Sequence, residues 1–327
     1  MTTTSLTPSA VAPAGALLDL STGTQRAGRA AASAGLGQRL RDYVTLTKPH
    51  IISLLLVTTA MPMVVAAAGW PGGWPVFWAM LGGYLMAGSA NATNMVIDRD
   101  IDSRMTRTRL RPIPAGRMSA RHALVFAALL MMAAMHVLAA ELNALSAGLA
   151  LAGWLWYVGV YTLWLKRRSP HACMVGGAAG AFPPMIGWAA VTGEIGLVPV
   201  VLFLIVFLWT PPHFWALALI KQKEYGAAGL PMAPNAWGEA VTRRRMLLYT
   251  LALIPVTMLP WPLGVAGASY AAAALALGLW FLGRVARVAA GAATTMQIWS
   301  AYRTSLLYLA LLFTAMAVDV VLRPFSS

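Results

Sequence analysis

Apolar residues in this chain come in long unbroken runs. Nine such runs can be placed, at 51–69, 73–97, 122–140, 142–165, 172–192, 196–220, 246–263, 265–283 and 304–322. Each is long enough to cross a hydrocarbon layer of about 30 Å as an α-helix. In lipid a segment must satisfy its own backbone hydrogen bonds, and the runs lack the short alternation of barrel strands. The pattern therefore predicts an all-α polytopic membrane bundle of about nine transmembrane helices, with polar loops capping a central cavity. The natural partition is one bundle over 45–327, preceded by a tail over 1–44.

Composition agrees with that setting. Of 327 residues, 59% are hydrophobic and 10% charged, and the mean hydropathy is +0.68, values foreign to a soluble domain of this size. The net charge of +14 reports topology. The tail and the loops after even-numbered runs hold 23 of the 24 basic residues, and only Arg323 falls on the other side. By the positive-inside rule these segments are cytoplasmic, with the N-terminus inside and the C-terminus outside. No basic module stands apart from the helices, so the charge is poor evidence for nucleic-acid binding. The first forty or so residues are rich in Ala, Ser, Thr and Gly with a single acid, Asp19, and read as a disordered cytoplasmic tail. A mitochondrial transit peptide is the competing reading, against which stands the absence of a sustained amphipathic pattern. The bacterial inner membrane is thus the expected location. The lone cysteine, Cys173, can form neither an internal disulfide nor a cysteine zinc cluster.

Polar residues concentrate at two places. The first, NATNMVIDRDIDSRMTRTRLRPIPAGR at 91–117, sets three aspartates and six arginines directly behind an apolar run. Asn94, Asp98 and Asp102 recur every four residues, with Asn91 one turn earlier, so a helix puts their oxygens on one face. Carboxylate and amide oxygens suit Mg²⁺, which is commonly held by one or two carboxylates plus substrate phosphate, and arginines grip the same phosphate. Diphosphate chemistry follows from that set. The bland alternative is a charged loop with acids paired to Arg99 and Arg104.

The second concentration is WTPPHFWALALIKQKEYGAAGLPMAPNAWGEAVTRRR at 209–245. A helix continuing past Pro211 and Pro212 would align His213 with Glu224, and the Gly and Pro punctuation beyond predicts a structured loop over 226–237. Topology puts this loop on the same side as the aspartates. His213 reads either as a bonded core histidine or as a substrate contact. His50, His122 and His136 read as interfacial or structural, and Met131, Met132 and Met135 as packing.

These blocks resemble the intramembrane UbiA-type prenyltransferase superfamily. Its N-x-x-x-D-x-x-x-D signature is matched by Asn94, Asp98 and Asp102, followed by Met105, Arg107, Thr108 and Arg111-Pro112. LTKPHIISLLLVTT at 46–59, YTLWLKRRSPH at 161–171, GGAAGAFPPMIGWAAVTG at 176–193, WTPPHFWALAL at 209–219 and EYGAAGLPM at 224–232 are similar to its haem-modifying branch, the protohaem IX farnesyltransferases. The likeness covers most of 47–234. One departure is Glu224 where that branch usually reads Asp.

The resemblance implies an enzyme that takes farnesyl diphosphate, transfers its farnesyl group to a vinyl group of haem b with addition of water, and releases haem O and diphosphate for haem–copper oxidase biogenesis. It implies Mg²⁺ at Asp98 and Asp102, with Glu224 as a further ligand. Asn94 would orient diphosphate or a metal-bound water, Arg107, Arg111 and Lys166 would contact diphosphate, and Lys48, Asn91, His213, Glu224 and Tyr225 would contact substrate. Trp154, Trp156, Tyr157, Phe182 and Trp188 are candidates to shield a cation with their π faces. Farnesyl diphosphate, haem b, the lipid bilayer and a downstream haem-modifying enzyme or oxidase assembly proteins are the expected partners. Three alternatives stay open at this point: a sister transferase acting on an aromatic or quinone precursor, a non-enzymatic haem carrier, and a transporter.

Overall fold

The long apolar runs become long helices in the computed structural model, which describes residues 35–323. The helices are α1 (Leu36–Thr47), α2 (Pro49–Ala66), α3 (Gly73–Ile97), α4 (Arg99–Arg104), α5 (Ala120–Glu141), α6 (Ala144–Leu155) and α7 (Ala172–Gly176). They are followed by α8 (Phe182–Thr192), α9 (Leu197–Ile220), α10 (Gln222–Ala227), α11 (Ala233–Trp237), α12 (Glu239–Met258), α13 (Ala268–Ala289) and α14 (Thr295–Leu322). Helix α6 runs straight into a π-helix, Trp156–Leu165, and α7 reaches α8 through a 3₁₀ turn, Gly177–Ala181.

Among the described residues, seven helical segments are long and apolar enough to cross a membrane, so the count of nine is approximate. The other two expected runs coincide with α3, which ends in the amides and carboxylates of the first motif, and with α12, which begins with Glu239 and Arg243 to Arg245. Helix α3 packs along α5, α8 against α2, and α9 against α12 and α14; α14 in turn meets α2, closing the bundle. Apolar packing falls into separate groups. Leu202, Ile205, Phe281, Leu312 and Phe313 fill the half built from α9 to α14, and Met86, Ala134, Leu138 and Ile186 fill the other. A cavity lies between them.

Two features hold the bundle ends. Asp319, buried on α14, accepts hydrogen bonds from the backbone N–H groups of Gly267 (2.6 Å) and Tyr270 (3.1 Å) and from the Ser269 hydroxyl, capping α13. A carboxylate at a helix N-terminus satisfies orphan N–H groups and complements the helix dipole. At the other end Asp42 of α1 receives a forked pair of bonds from Arg117 (3.0–3.1 Å), tying α1 to the loop before α5.

Three sequence expectations need correction. Part of the stretch 1–44, read as a disordered tail, is helical from Leu36, with Asp42 and Leu46 buried; the Asp42–Arg117 clamp and the burial of Leu46 supply the order. Residues 1–34 lie outside the described part. The helix bearing His213 passes through Pro211 and Pro212 but stops at Ile220, and α10 begins a new axis, so His213 and Glu224 share no helical face. Finally, the fourth run is not α-helical throughout, because residues 156–165 are wound with i→i−5 bonds, as in Lys166 N–H to Tyr161 O (2.8 Å).

Close approach of α2 and α8 depends on Gly187, where a Cβ would run into the carbonyl oxygen of Thr59. We expect Gly187→Ala to lower the thermal unfolding midpoint in detergent, at a cost of about 1–3 kcal/mol from overpacking. Gly148→Ala, with open space around its Cβ, serves as the control and should leave the midpoint unchanged.

Candidate functional site

The site is assembled where three helix ends meet. Helix α3 terminates at Asp98, whose N–H still bonds to Asn94 O (2.9 Å) while its backbone leaves the helical region (φ −88°, ψ 6°). The short α4 restarts the helical path, so Asp102 follows Asp98 by one turn. Asn94, Asp98 and Asp102 are 3%, 1% and 4% exposed. Carboxylates buried to this extent require cations or hydrogen bonds, and each has them.

Asn94 is the hub. Its Nδ2 donates to Asp98 Oδ2 (2.7 Å) and Thr162 Oγ1 (3.2 Å), and its Oδ1 accepts from Lys48 Nζ (3.0 Å). Lys166 Nζ also donates to Asp98 Oδ2, in a short ion pair. Asp102 Oδ2 accepts from Arg111 (2.6 Å), and its carbonyl accepts from the Thr108 hydroxyl (2.9 Å). Asp100, on the outer side, is held by the fork of Arg167 (both bonds 2.7 Å). Lys48, Asn94, Asp98 and Lys166 thus form one network, with the Asp102–Arg111 pair beside it.

Two backbone devices bring the cations in. Thr162 and Lys166 reach the aspartates from the π-helix, whose wider turn is sealed by Thr162 Oγ1 donating to Tyr157 O (2.8 Å). Such π segments are rare and concentrate at functional sites. Lys48 sits between α1 and α2 at φ 54°, ψ 59°, left-handed although it is not glycine and precedes a proline. Both features disfavour that conformation, so the surroundings must hold it. Asn91 does so: its Nδ2 donates to Thr47 O (2.9 Å), and the Thr47 hydroxyl meets Tyr84 Oη (2.9 Å). Asn91 therefore positions Lys48 by fixing the residue before it.

Electrostatics follow from this crowding. Lys48 is lowered to about 7, first by burial and then by the charges of Arg111 and Lys166, against the opposing pull of Asp98 and Asp102. Burial pushes the Asp100 carboxyl upward, but the hydrogen bond and charge of Arg167 outweigh it and leave it below the usual value. Tyr225 is raised by burial, with the charge of Arg107 opposing.

The donor set has oxygen atoms free for a hard cation. Asp98 Oδ1 is buried without a hydrogen-bond partner, having only Arg167 at 3.9 Å, and Glu224 Oε2 is likewise buried and unpartnered. Among the described residues no three His, Cys, Asp or Glu side chains gather closely enough to hold a metal by themselves. Two carboxylates fit an ion such as Mg²⁺, which takes its remaining oxygens from phosphate and water.

Beyond the aspartates lies an apolar cavity of about 410 Å³, lined by residues of α2, α3, α6 with its π-helix, the α7–α8 segment, α9 and α14. Tyr157 and Tyr161 belong to its wall, and Lys166 Nζ stands 5.8 Å from the Tyr161 ring, so polar network and cavity adjoin. Of the expected shielding aromatics, Trp154, Tyr157 and Phe182 line the cavity. Trp156 is turned away, bonding to Val175 O (2.7 Å), and Trp188 lines a separate cavity at the far end with Val65 and Arg323.

Among the described residues, no hydrogen bond or ion pair joins the remaining candidates to Asp98 or Asp102. Arg107 is exposed, and its charge acts on Tyr225 and Tyr302. Glu224 pairs with Lys221 (3.0 Å), and His213 is buried in the cavity wall against Ser305. Thr162, Tyr161, Arg167 and Ser305 are site residues that the sequence did not single out. A polar Thr162 four residues before Lys166 within an apolar run was the available signal.

A model of the UbiA prenyltransferase family matches residues 54–301. Protoheme IX farnesyltransferase of Roseiflexus castenholzii is 51% identical over 86% of this chain and 52% of its own length, so the chain spans about half of that relative. The protein of the same name from Gloeobacter violaceus is 48% identical over 87% of this chain and 93% of its own. A solved digeranylgeranylglyceryl phosphate synthase shares the fold (TM-score 0.72, 15% identity, 87% and 99% of the two chains). So does a UbiA homolog from Archaeoglobus fulgidus bound to DMAPP and Mg²⁺ (TM-score 0.60, 14% identity, 85% and 99%).

A diphosphate placed beside Lys48 would favour its ammonium form, so binding takes up a proton wherever Lys48 is neutral beforehand, above about pH 7. Diphosphate affinity should therefore be flat below pH 7 and fall by up to about tenfold per pH unit above it. Calorimetry in buffers of different ionisation enthalpy should register the uptake at pH 8. Lys48→Met should bind more weakly at pH 6.5 and lose this pH dependence.

Proposed function

This chain belongs to the UbiA prenyltransferase family, and on that premise we propose that it transfers the farnesyl group of farnesyl diphosphate to a vinyl group of haem b, yielding haem O. The observation that carries the reading is a buried carboxylate and cation cluster adjoining an aromatic-lined apolar cavity. Such a site fits a substrate with a diphosphate head and a hydrocarbon tail. A non-enzymatic haem carrier would not need the aspartates.

Lys48, Lys166 and Arg111 receive the diphosphate, and Arg107 contributes from the exposed loop. Asn94 orients the head, holding Asp98 and Lys48 at fixed angles. Asp98 and Asp102 would hold Mg²⁺, which would supply Lewis-acid neutralisation of the diphosphate charge. Heterolysis of the allylic carbon–oxygen bond leaves its electron pair on diphosphate. The vinyl π electrons attack the allylic carbon, water adds to the resulting carbocation, and one proton is lost, so the product gains farnesyl and hydroxyl. Charge developing on the leaving diphosphate is what the preorganised cations stabilise. The π faces of Trp154, Tyr157 and Phe182 offer the allylic cation about 0.5–2 kcal/mol each and exclude water from it. Glu224, whose Oε2 is buried without a hydrogen-bond partner, would be available to a second divalent ion.

The basic loops and the site share the cytoplasmic face of a bacterial inner membrane in this reading, which gives farnesyl diphosphate direct access from solution.

Membranes containing the protein, given haem b, farnesyl diphosphate and Mg²⁺, should produce a porphyrin heavier by one farnesyl group plus one hydroxyl, and none with a chelator. Prenylation of a different acceptor, with haem b untouched, would transfer the assignment to a sister enzyme. Asp98→Asn and Asp102→Asn should each reduce turnover by about 10²–10³, with the protein still folded in the membrane.

A further inference from the structure

His213 is the one imidazole buried in the cavity wall, and its surroundings fix its chemistry. Its ring is stacked between Trp209 (centroids 4.4 Å apart, interplanar angle 18°) and Tyr302 (4.8 Å, 23°), with Phe214 edge-on at 5.4 Å. Rotation about χ2 is blocked on both faces. On the ring edge, Nδ1 lies 2.7 Å from Ser305 Oγ. Ser305 Oγ lies 2.6 Å from the Tyr302 carbonyl and donates its single proton there. The hydroxyl can therefore only accept from the imidazole, which places the histidine proton on Nδ1 and leaves the Nε2 lone pair uncommitted. Among the described residues Nε2 has no hydrogen-bond partner and no acidic side chain forms an ion pair with His213.

Two roles need a free Nε2 lone pair: proton acceptor and metal ligand. A proton acceptor becomes an imidazolium, and here it would do so in an apolar cavity without a carboxylate partner, at high cost. A metal ligand keeps the ring neutral. Histidines that bind metals typically donate the other ring N–H to a carbonyl, carboxylate or water that fixes tautomer and orientation. The chain from Nδ1–H to Ser305 and on to Tyr302 O is that arrangement, with a hydroxyl as relay.

We propose that His213 Nε2 is an axial ligand to the iron of an iron porphyrin seated in this cavity, with Ser305 as its positioning residue. The proposal rests on the haem-farnesylating reading, and it adds the contact that sets where the macrocycle sits. Iron ligation at a fixed imidazole limits the porphyrin to tilting and turning about one axis, and so restricts which vinyl edge faces the aromatic end of the cavity.

The test is haem b titration of the whole protein in lipid nanodiscs, followed by absorption and resonance Raman spectroscopy of the ferrous complex. An iron–imidazole stretching band should appear with the parent protein. His213→Ala should abolish it and weaken haem affinity at least tenfold, and added imidazole should restore the band by filling the space left behind. Ser305→Ala should retain the band at a shifted frequency, with affinity reduced about tenfold. Diphosphate binding, measured in parallel, checks that each variant is folded. An unchanged spectrum and affinity in His213→Ala would overturn the proposal, as would a loss that imidazole does not restore in a variant still binding diphosphate. A parent protein that shows the band yet farnesylates nothing would uphold the iron contact and defeat the enzymatic reading. Turnover without any imidazole band would do the reverse.

Discussion

Charge neutralisation without water is the constraint around which this structure is built. Asp98 and Asp102 are almost fully buried, and a buried carboxylate stays ionised only beside cations and donors. Lys166, Lys48 through Asn94, and Arg111 provide them, from three separate parts of the chain. Meeting that demand shapes the local backbone. Helix α3 ends at Asp98, a π-helix carries Thr162 and Lys166 inward, and Lys48 is held left-handed at the α1–α2 junction. Each device carries its own conformational cost, and each converges on the same few oxygens.

The second half of the site has the opposite physics. Its cavity is apolar, walled by closely packed helices, and closed by contact between α2 and α14. Small residues make that packing possible: a Cβ at Gly176 would collide with Tyr161 and one at Gly177 with Thr210, so these glycines let the aromatic wall approach the 3₁₀ turn. The result is a charged head site and a hydrocarbon chamber sharing the Tyr157–Tyr161 wall. An amphiphilic diphosphate fits across that border, and an electrophile formed there is shielded from water by aromatic faces rather than quenched by it.

Much of this was legible in the sequence for physical reasons. The four-residue spacing of Asn94, Asp98 and Asp102 survives in the structure because α4 resumes the turn that Asp98 ends. Apolar runs announce spans because lipid leaves a backbone few alternatives. What could not be read was register and rotation. Trp156 and Trp188 are as aromatic as Trp154, yet they face elsewhere, since helix rotation and the π-helical winding decide which ring reaches the cavity. Spacing put Asn91 on the face of Asn94 and Asp98; its bond to Thr47 O adds a long-range packing role that spacing does not encode. Helix α1 was hidden by low hydrophobicity and depends on Arg117, 75 residues away.

The central claim is that the two buried carboxylates hold a divalent ion together with a diphosphate rather than alone. Electron paramagnetic resonance titration with Mn²⁺, in the presence and absence of inorganic diphosphate, tests it directly. The account predicts about one tightly held Mn²⁺ per chain when diphosphate is present and little without it, because two carboxylates already facing Lys166 and Arg111 offer too few free oxygens; Asp98→Asn should abolish the bound signal. Equal Mn²⁺ binding without diphosphate, or binding unaffected by Asp98→Asn, would contradict it.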